Sequence, residues 1–235
     1  MSSLIDILTD GRPPRTWSML VTIFGDLALD PGTRLTGRTL AALTAPMGIR
    51  PEALRTALHR LRRDGWIEST RHGRLTAHAL TEFGRDQSRA AGPRIYGADI
   101  PTGLYLHVTE PGALQEGCVI APGLALATTP GDPLLPLDTV PDWMQARVCP
   151  PDLLGQTNAF ADRIEALARR LETETDTSLR LVIVHEWRRL VLRTPALPDR
   201  AFPETWRGAE ARAHIRALLT ALPRPDYSTS SIEQP

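Results

Sequence analysis

Basic side chains are concentrated in one short stretch of the chain, from Arg55 to Leu75. The stretch reads RTALHRLRRDGWIESTRHGRL and holds six arginines and two histidines in twenty-one residues. Arginine presents a planar fork of N–H donors that fits phosphate oxygens and the acceptor edge of guanine. These residue types, so closely spaced, predict a surface that binds a nucleic-acid duplex.

The stretch begins in a predicted helix. Pro51 suits the first turn of a helix and Gly65 suits its end, so PEALRTALHRLRRDG is predicted to be helical. On a helical wheel Leu54, Ala57, Leu58 and Leu61 share one face, which should pack inward, and the basic residues lie on the remaining faces. The alternative interpretation is a solvated charged face without a ligand.

Two further helices are predicted before this one. An apolar stripe at helical spacing runs from Trp17 to Ala28, and Thr36 is the predicted N-cap of a helix that ends near Leu43. After Gly65 the apolar period shortens to about two, and the extended candidates WIEST and LTAHAL flank a turn at His72 and Gly73. A helix-turn-helix followed directly by such a hairpin predicts a winged helix.

In a winged helix the recognition helix enters the major groove and the hairpin reaches the neighbouring backbone or minor groove. Thr56, His59 and Arg60 are the predicted base-reading residues, whereas the other arginines are predicted to bind phosphates. The full set of predicted DNA-contact residues is Arg55, Thr56, His59, Arg60, Arg62, Arg63, Arg71, His72 and Arg74.

The charge distribution agrees with a polyanion-binding front half. The chain is neutral overall, and its 27 basic residues are all arginine. Residues 1–96 carry 14 Arg and 9 acidic residues, a balance of +5, while residues 97–235 carry 13 Arg and 18 acidic residues, a balance of −5. Opposite signs in the two halves indicate that the second half has a different role.

The elements after the hairpin are predicted from shorter patterns. Thr81 is the predicted N-cap of a helix that runs to about Ala91. TGLYLHVTE, CVIAPGLALAT and DWMQARVCP predict three strands. Helical patterns return from Asp152 and again from Gly208 to Leu222. Between them, SLRLVIVHEWRRLVLR fits a buried helix or a strand that runs into a helix, and its length favours the helix. The tail PRPDYSTSSIEQP is predicted to be disordered.

Several of these segments resemble one known family in order and spacing. LVTIFGDLA, LTAPMGIRPEALRTALHRLRRDGWI, GRLTAHALTEFGR and RIYG are similar to the N-terminal winged helix of the PaaX family of bacterial repressors of phenylacetate catabolism. VIVHEWRRLVLRTPALPDRAFPETWRGAEAR resembles the C-terminal domain of that family. The resemblance implies a transcriptional repressor, a homodimer bound to a double-stranded operator and released by an acyl-CoA effector such as phenylacetyl-CoA.

The resemblance also implies a central ferredoxin-like domain, which looks shortened here because 97–177 has room for about three strands and one helix. The predicted fold is therefore α+β in three parts: a winged helix-turn-helix domain over 1–96, a reduced ferredoxin-like sheet over 97–177, and a helical domain with a disordered tail over 178–235.

Candidate effector contacts lie in the C-terminal block. The indoles of Trp143, Trp187 and Trp206 are candidates for an aryl pocket, with core packing as the alternative. Arg188 and Arg189 are candidates for effector phosphates, with an ion-pair cluster around Glu186 as the alternative. The predicted effector-binding residues are Trp187, Arg188, Arg189 and Trp206.

Enzyme chemistry is not indicated. His185 and Glu186 begin like an HExxH zinc motif, but Arg189 occupies the place of the second histidine. A metal-dependent nuclease on the central sheet would have only Glu110 as an acidic ligand near the first strand, and a protein-interaction module without specific DNA binding is the other alternative. We therefore expect no catalytic residue, metal or cofactor.

The cellular setting is predicted from what the sequence lacks. Two cysteines without CxxC spacing favour a reducing compartment. The first ten residues carry acids where a signal peptide needs basic residues, and the longest apolar run is too short for a membrane span. The sequence thus predicts a cytoplasmic protein.

Overall fold

A computed structural model of the chain describes residues 4–9, 11–72, 75–97, 100–110, 112–113, 116–132, 135–171 and 176–227, without the side chain of His72. The helices are α1 (Leu4–Thr9), α2 (Thr16–Leu27), α3 (Gly37–Thr44), α4 (Pro51–Arg63), α5 (Glu82–Tyr96), α6 (Asp142–Val148), α7 (Pro151–Ala168), α8 (Thr177–Val191) and α9 (Gly208–Ala221). The strands are β1 (Leu35–Thr36), β2 (Ile67–His72), β3 (Leu75–Leu80), β4 (Tyr105–Val108), β5 (Cys118–Ala121) and β6 (Leu124–Ala127). Short 3₁₀ turns cover Ala45–Met47 and Asp199–Ala201. The fold is α+β, as predicted.

The helices before the hairpin form where the sequence predicts them. Leu54, Ala57 and Leu61 of α4 are buried, as the wheel requires. Thr36 and Thr81 are the N-caps of α3 and α5, because their side-chain oxygens accept hydrogen bonds from the backbone N–H groups three residues later. All three predictions are confirmed.

The hairpin belongs to a three-stranded antiparallel sheet in the order β1-β3-β2. β2 and β3 pair in register from Ile67 opposite Leu80 to His72 opposite Leu75. β1, which the sequence did not predict, adds Leu35 opposite His78 on the other edge of β3. The sheet therefore ties the connection before α3 to the hairpin after α4.

The second sheet differs from its prediction. CVIAPGLALAT forms two strands, β5 and β6, with a turn at Pro122 and Gly123, and the antiparallel order is β4-β6-β5. DWMQARVCP is the helix α6, so the prediction of a strand there was wrong. Met144 and Val148 are buried four residues apart while Trp143 is exposed, which is helical spacing in a segment too short to distinguish from alternation.

Three further differences concern element ends. α1 was not predicted, and α5 continues past Ala91 through Pro93 to Tyr96, with Ile95 buried. The tail prediction was wrong for its first residues, because Arg224 pairs with Asp26 and Tyr227 packs against the core. Residues 228–235 lie outside the described part of the chain.

α8 lies at the centre of the fold. Leu181, Val182, Ile183 and Val184 are all buried, so the first half of this helix has protein on every side, and α8 packs against α1, α2, α5 and α9. The prediction of a buried helix here is confirmed. None of the described helices is long and apolar enough to cross a membrane.

A buried ion pair connects α8 to α2. The guanidinium of Arg180 donates from Nε to Asp26 Oδ2 at 2.8 Å and from Nη2 to Oδ1 at 2.9 Å. Tyr96 and Arg224 also donate to Oδ1 of Asp26, at 2.9 and 3.0 Å. The remaining Arg180 nitrogen, Nη1, donates to the carbonyl of Leu222 at 2.5 Å, so the pair also holds the end of α9.

Close packing of α5 on the hairpin depends on Gly84. A Cβ at this position would lie 2.3 Å from the carbonyl oxygen of Trp66, whereas a Cβ at Gly92 in the same helix would meet nothing within 4 Å. We predict that Gly84→Ala lowers the free energy of unfolding by about 1–3 kcal/mol through overpacking. The matched Gly92→Ala should instead raise it, by up to about 1 kcal/mol, because alanine favours helix. Urea denaturation of both variants tests this, and equal stabilities would contradict it.

Candidate functional site

α4 presents a basic surface to solvent. The six α4 residues predicted to contact DNA are all exposed: Arg55, Thr56, His59, Arg60, Arg62 and Arg63. Arg50, which the prediction omitted, is exposed at the N-cap of the same helix. We call the exposed arginines and His59 of residues 50–63 the α4 basic face.

Two acidic residues partly offset the α4 basic face. Glu52 pairs with Arg55 at 3.1 Å, and Asp64 pairs with Arg60 at 3.4 Å and with Arg63 at 3.2 Å. Exposed pairs of this kind contribute at most about 1 kcal/mol each, so phosphate oxygens can replace the carboxylates at little cost. Among the described residues, Arg62 has no ion-pair partner.

An aromatic cluster orients Arg60. Its guanidinium lies over the ring of Trp17, 5.6 Å from the ring centroid. Trp17 meets Trp66 edge to face at 5.8 Å, and Trp66 meets Phe83 in the same way at 5.6 Å. Trp17 lies in an apolar stripe whose spacing gives no sign of this contact, because the contact joins residues 43 positions apart.

The described part of the hairpin contributes one of its predicted basic residues, Arg71, to the surface. Arg71 is exposed on β2, whereas Arg74 and the side chain of His72 lie outside the part of the chain that the structure describes. Arg34, which the sequence analysis did not select, donates to Thr70 Oγ1 at 2.9 Å and pairs with Glu68 at 3.6 Å. The position of Arg34 directly before β1 is the feature that could have selected it, but β1 was not predicted from the sequence.

A separate apolar cavity of about 270 Å³ lies beside α8. Trp187, Trp206 and Phe202 line it, together with Leu190 and the arginines Arg94 and Arg212. Trp206 stacks on Phe202 with ring centroids 4.0 Å apart, and this position requires Gly208, where a Cβ would lie 1.9 Å from the indole. We call this space the tryptophan cavity.

The tryptophan cavity has one free hydrogen-bond donor. Trp206 Nε1 is buried and has no hydrogen-bond partner among the described residues. The other indole, of Trp187, donates to the carbonyl of Ile95 at 3.0 Å. Burying an N–H group without an acceptor is unfavourable, so a ligand acceptor at Trp206 would remove that cost.

The other two predicted effector residues lie elsewhere on α8. Arg188 is half-buried against α2 and α5, where burial lowers its pKa. Arg189 is exposed and pairs with Glu186 at 3.1 Å. The structure therefore brings Trp187 and Trp206 together in one cavity and places both arginines outside it. Glu110, the candidate nuclease ligand, is exposed, and no group of three or more metal-ligating side chains occurs among the described residues.

Hydrogen bonds connect α8 to the N-terminal helices. His185 Nδ1 and Thr22 Oγ1 share a hydrogen bond of 3.1 Å between α8 and α2. Arg94, near the end of α5, donates to the carbonyls of Val191 and Thr194 at the end of α8. Because α2 also packs against α4, the α4 basic face is connected to α8 through α2.

Comparison with known proteins separates the same two regions. Residues 15–84 match a family model described as PaaX-like protein, and residues 151–226 match one described as PaaX-like protein C-terminal domain. The chain is also similar to the transcriptional repressor PaaX of Escherichia coli (strain K12), with 24% identity over 258 residues, covering 90% of this chain and 82% of that protein. The first match contains α4 and the hairpin, and the second contains both tryptophans of the cavity.

The contact between α8 and α2 should make stability depend on pH. Burial lowers the pKa of His185 to about 3, and the charges of Arg189 and Arg188 add to this effect. Between about pH 6.5 and pH 3 the unfolded chain therefore holds a proton at this position that the folded chain does not. As the pH falls through this range, His185 should lower the free energy of unfolding by about 1.4 kcal/mol per pH unit.

Urea denaturation at pH 7 and pH 5 measures this effect, and His185→Gln should lose less stability over the interval than the wild-type chain. His78, whose pKa burial also lowers, acts in the same direction in both proteins, so the difference isolates His185. The same loss in both proteins would contradict the assignment.

Proposed function

Because the chain belongs to the PaaX-like family, we propose that it is a DNA-binding transcriptional repressor in which α4 is the recognition helix. The observation that carries the proposal is the α4 basic face: its arginines project to solvent from a helix whose opposite side is buried. The similarity is to a regulator rather than to an enzyme.

The proposed DNA-binding unit is a winged helix. In support, α2, α3 and α4 are followed directly by the β2–β3 hairpin, and β1 completes the sheet. In this arrangement α4 would enter the major groove, where Thr56, His59 and Arg60 would meet base edges. Arg55, Arg62 and Arg63 would contact phosphates, as would the predicted hairpin residues Arg71, His72 and Arg74.

The proposal includes a homodimer on a two-fold operator, since a two-fold operator matches a two-fold protein. A cytoplasmic location, the division at residues 96 and 177, and the interpretation of the β4-β6-β5 sheet as a reduced ferredoxin-like domain stay predictions. Antiparallel pairing of β4 with β6 is compatible with that last interpretation.

The proposed effector is an acyl-CoA such as phenylacetyl-CoA, with its acyl group in the tryptophan cavity. A cavity of about 270 Å³ with aromatic walls suits an aryl group. The thioester carbonyl would accept a hydrogen bond from the N–H group at Trp206 Nε1. Because Trp187 in the same wall is bonded to Ile95 of α5, the occupied cavity would favour a different position of the DNA-binding helices.

We predict that Arg60→Ala combined with Arg63→Ala weakens DNA binding at least about tenfold and flattens its salt dependence, because phosphate and base contacts are lost. Fluorescence anisotropy with the DNA upstream of the gene, over a salt titration, measures both effects. The matched control is Arg169→Ala with Arg170→Ala, two adjacent exposed arginines after α7. Unchanged affinity in the first double variant would refute the assignment of α4.

The effector site makes a separate prediction. Trp206→Phe keeps an aromatic ring but removes the N–H donor, so release of DNA should require about three- to tenfold more phenylacetyl-CoA, while affinity for DNA without effector stays unchanged. Trp143→Phe is the control, because Trp143 is exposed on α6, away from the cavity. The same anisotropy assay with added thioester measures it. A normal response of the Trp206 variant would exclude this donor from effector recognition.

A further inference from the structure

A second concave region lies beside α8, next to the tryptophan cavity. Its volume is about 540 Å³, and α1, residues 12–15, α7 and α8 form its walls. Its lining includes one acidic residue and five arginines: Glu186, Arg12, Arg15, Arg163, Arg189 and Arg193. We call this region the arginine cleft.

Rigid elements hold these arginines in place. Arg12 and Arg15 flank Pro13 and Pro14, whose fixed φ angles stiffen the segment between α1 and α2. Arg193, two residues after the end of α8, donates to Gln156 Oε1 of α7 at 2.7 Å. The cleft is thus a formed site with converging charges.

Two arginines of the cleft, Arg189 and Arg193, form exposed ion pairs, which are weak. Arg189 pairs with Glu186 at 3.1 Å, and Arg193 with Asp152 at 3.6 Å, and both arginine side chains are more than half exposed. α2 also begins at Thr16, beside the cleft, and the Arg15 side chain makes no capping bond there. The free N–H groups of the first turn of α2 therefore add to the positive potential.

We propose that the arginine cleft binds the phosphate groups of a polyphosphorylated small molecule. Several guanidinium groups around one concavity suit adjacent phosphates, because each can donate two parallel hydrogen bonds to phosphate oxygens. Leu8, Phe160 and Leu190 line the same cleft and offer an apolar surface to the rest of such a molecule. A concave site bordered by four segments favours a small molecule over the continuous backbone of DNA.

The inference rests on the proposed function in one respect, the identity of the ligand. A coenzyme A thioester carries a pyrophosphate and a 3′-phosphate and is far larger than the tryptophan cavity. Leu190 lines both spaces, and α7 contributes Thr157 to the cavity and Gln156 to the cleft. The two sites are therefore neighbours across α7 and α8, and the cleft is the place for the phosphates of a thioester whose acyl group occupies the cavity.

The arginine cleft also adjoins the DNA-binding unit. A Cβ at Gly48, in the turn before α4, would lie 3.8 Å from Pro13 Cβ. An anion that draws Arg12 and Arg15 toward α7 and α8 would pull on the segment that supports this turn.

The test is isothermal titration of the full chain with three probes: coenzyme A without an acyl group, ATP and inorganic pyrophosphate. Arg12→Gln combined with Arg15→Gln should weaken binding of coenzyme A and pyrophosphate at least about tenfold. The matched control is Arg170→Gln with Arg216→Gln, which removes two exposed arginines outside the cleft and should leave affinity unchanged. Binding of coenzyme A at least as tight as that of ATP would identify the thioester as the source of the phosphates, and tighter ATP binding would identify a nucleotide.

Two results would overturn the proposal. One is no heat of binding for any probe at millimolar concentration; the other is equal affinity in the wild-type chain and the cleft variant. A cleft variant that loses only DNA affinity would show instead that the cleft is part of the DNA surface. Anisotropy of the α4 variants without added probe reports on the repressor proposal separately, so either proposal can fail alone.

Discussion

The buried carboxylate of Asp26 is the constraint on which the rest of the structure depends. Its side chain is inaccessible to solvent, and that of Arg180 is 4% exposed, so neither charge can be hydrated. Removing one partner of such a pair typically costs about 3–5 kcal/mol, because the other charge stays buried without compensation. Apolar packing is not directional, whereas this pair is satisfied in one arrangement of α2 and α8. Tyr96 and Arg224 bond to the same carboxylate, and this fixes the ends of α5 and of the C-terminal segment as well.

This constraint gives α8 its part in the proposed regulation. The helix is fixed to α2 at Arg180, bonded to it again at His185, and bonded to α5 at Trp187. A ligand shifts an equilibrium only through a difference in its affinity for two arrangements. Because the tryptophan cavity and the arginine cleft both use Leu190, a molecule that fills both would contact α8 on two sides. If such contacts favour a rotation of α8, then α2 and α5 must move with it, or the hydrogen bonds that Arg180, His185 and Trp187 make to them must be strained.

The sequence was informative wherever one segment held the whole signal. Pro51, Gly65 and the leucines between them define α4, and Thr36 and Thr81 cap their helices with their own side chains. The secondary structure of short segments could not be predicted in this way. β1 has only two residues, and the apolar residues in the seven-residue α6 fit the helical period and the strand period equally well. The cavity and the cleft could not be predicted at all, because each is assembled from segments far apart in the chain. Trp206 and Trp187 were selected individually, but only the fold shows that they share a space and that Arg188 and Arg189 do not.

An arginine-only basic composition gives the chain side chains that can serve two different purposes. On α4 they are exposed and can fork onto phosphates or bases. In the core, Arg180 bonds simultaneously to both oxygens of Asp26 and to the carbonyl of Leu222, and Arg94 bonds to two carbonyls at the end of α8. A lysine ammonium is a compact point charge and cannot span three acceptors in one plane. At position 180 the geometry itself requires a guanidinium group, because two oxygens of Asp26 and the carbonyl of Leu222 all accept hydrogen bonds from it.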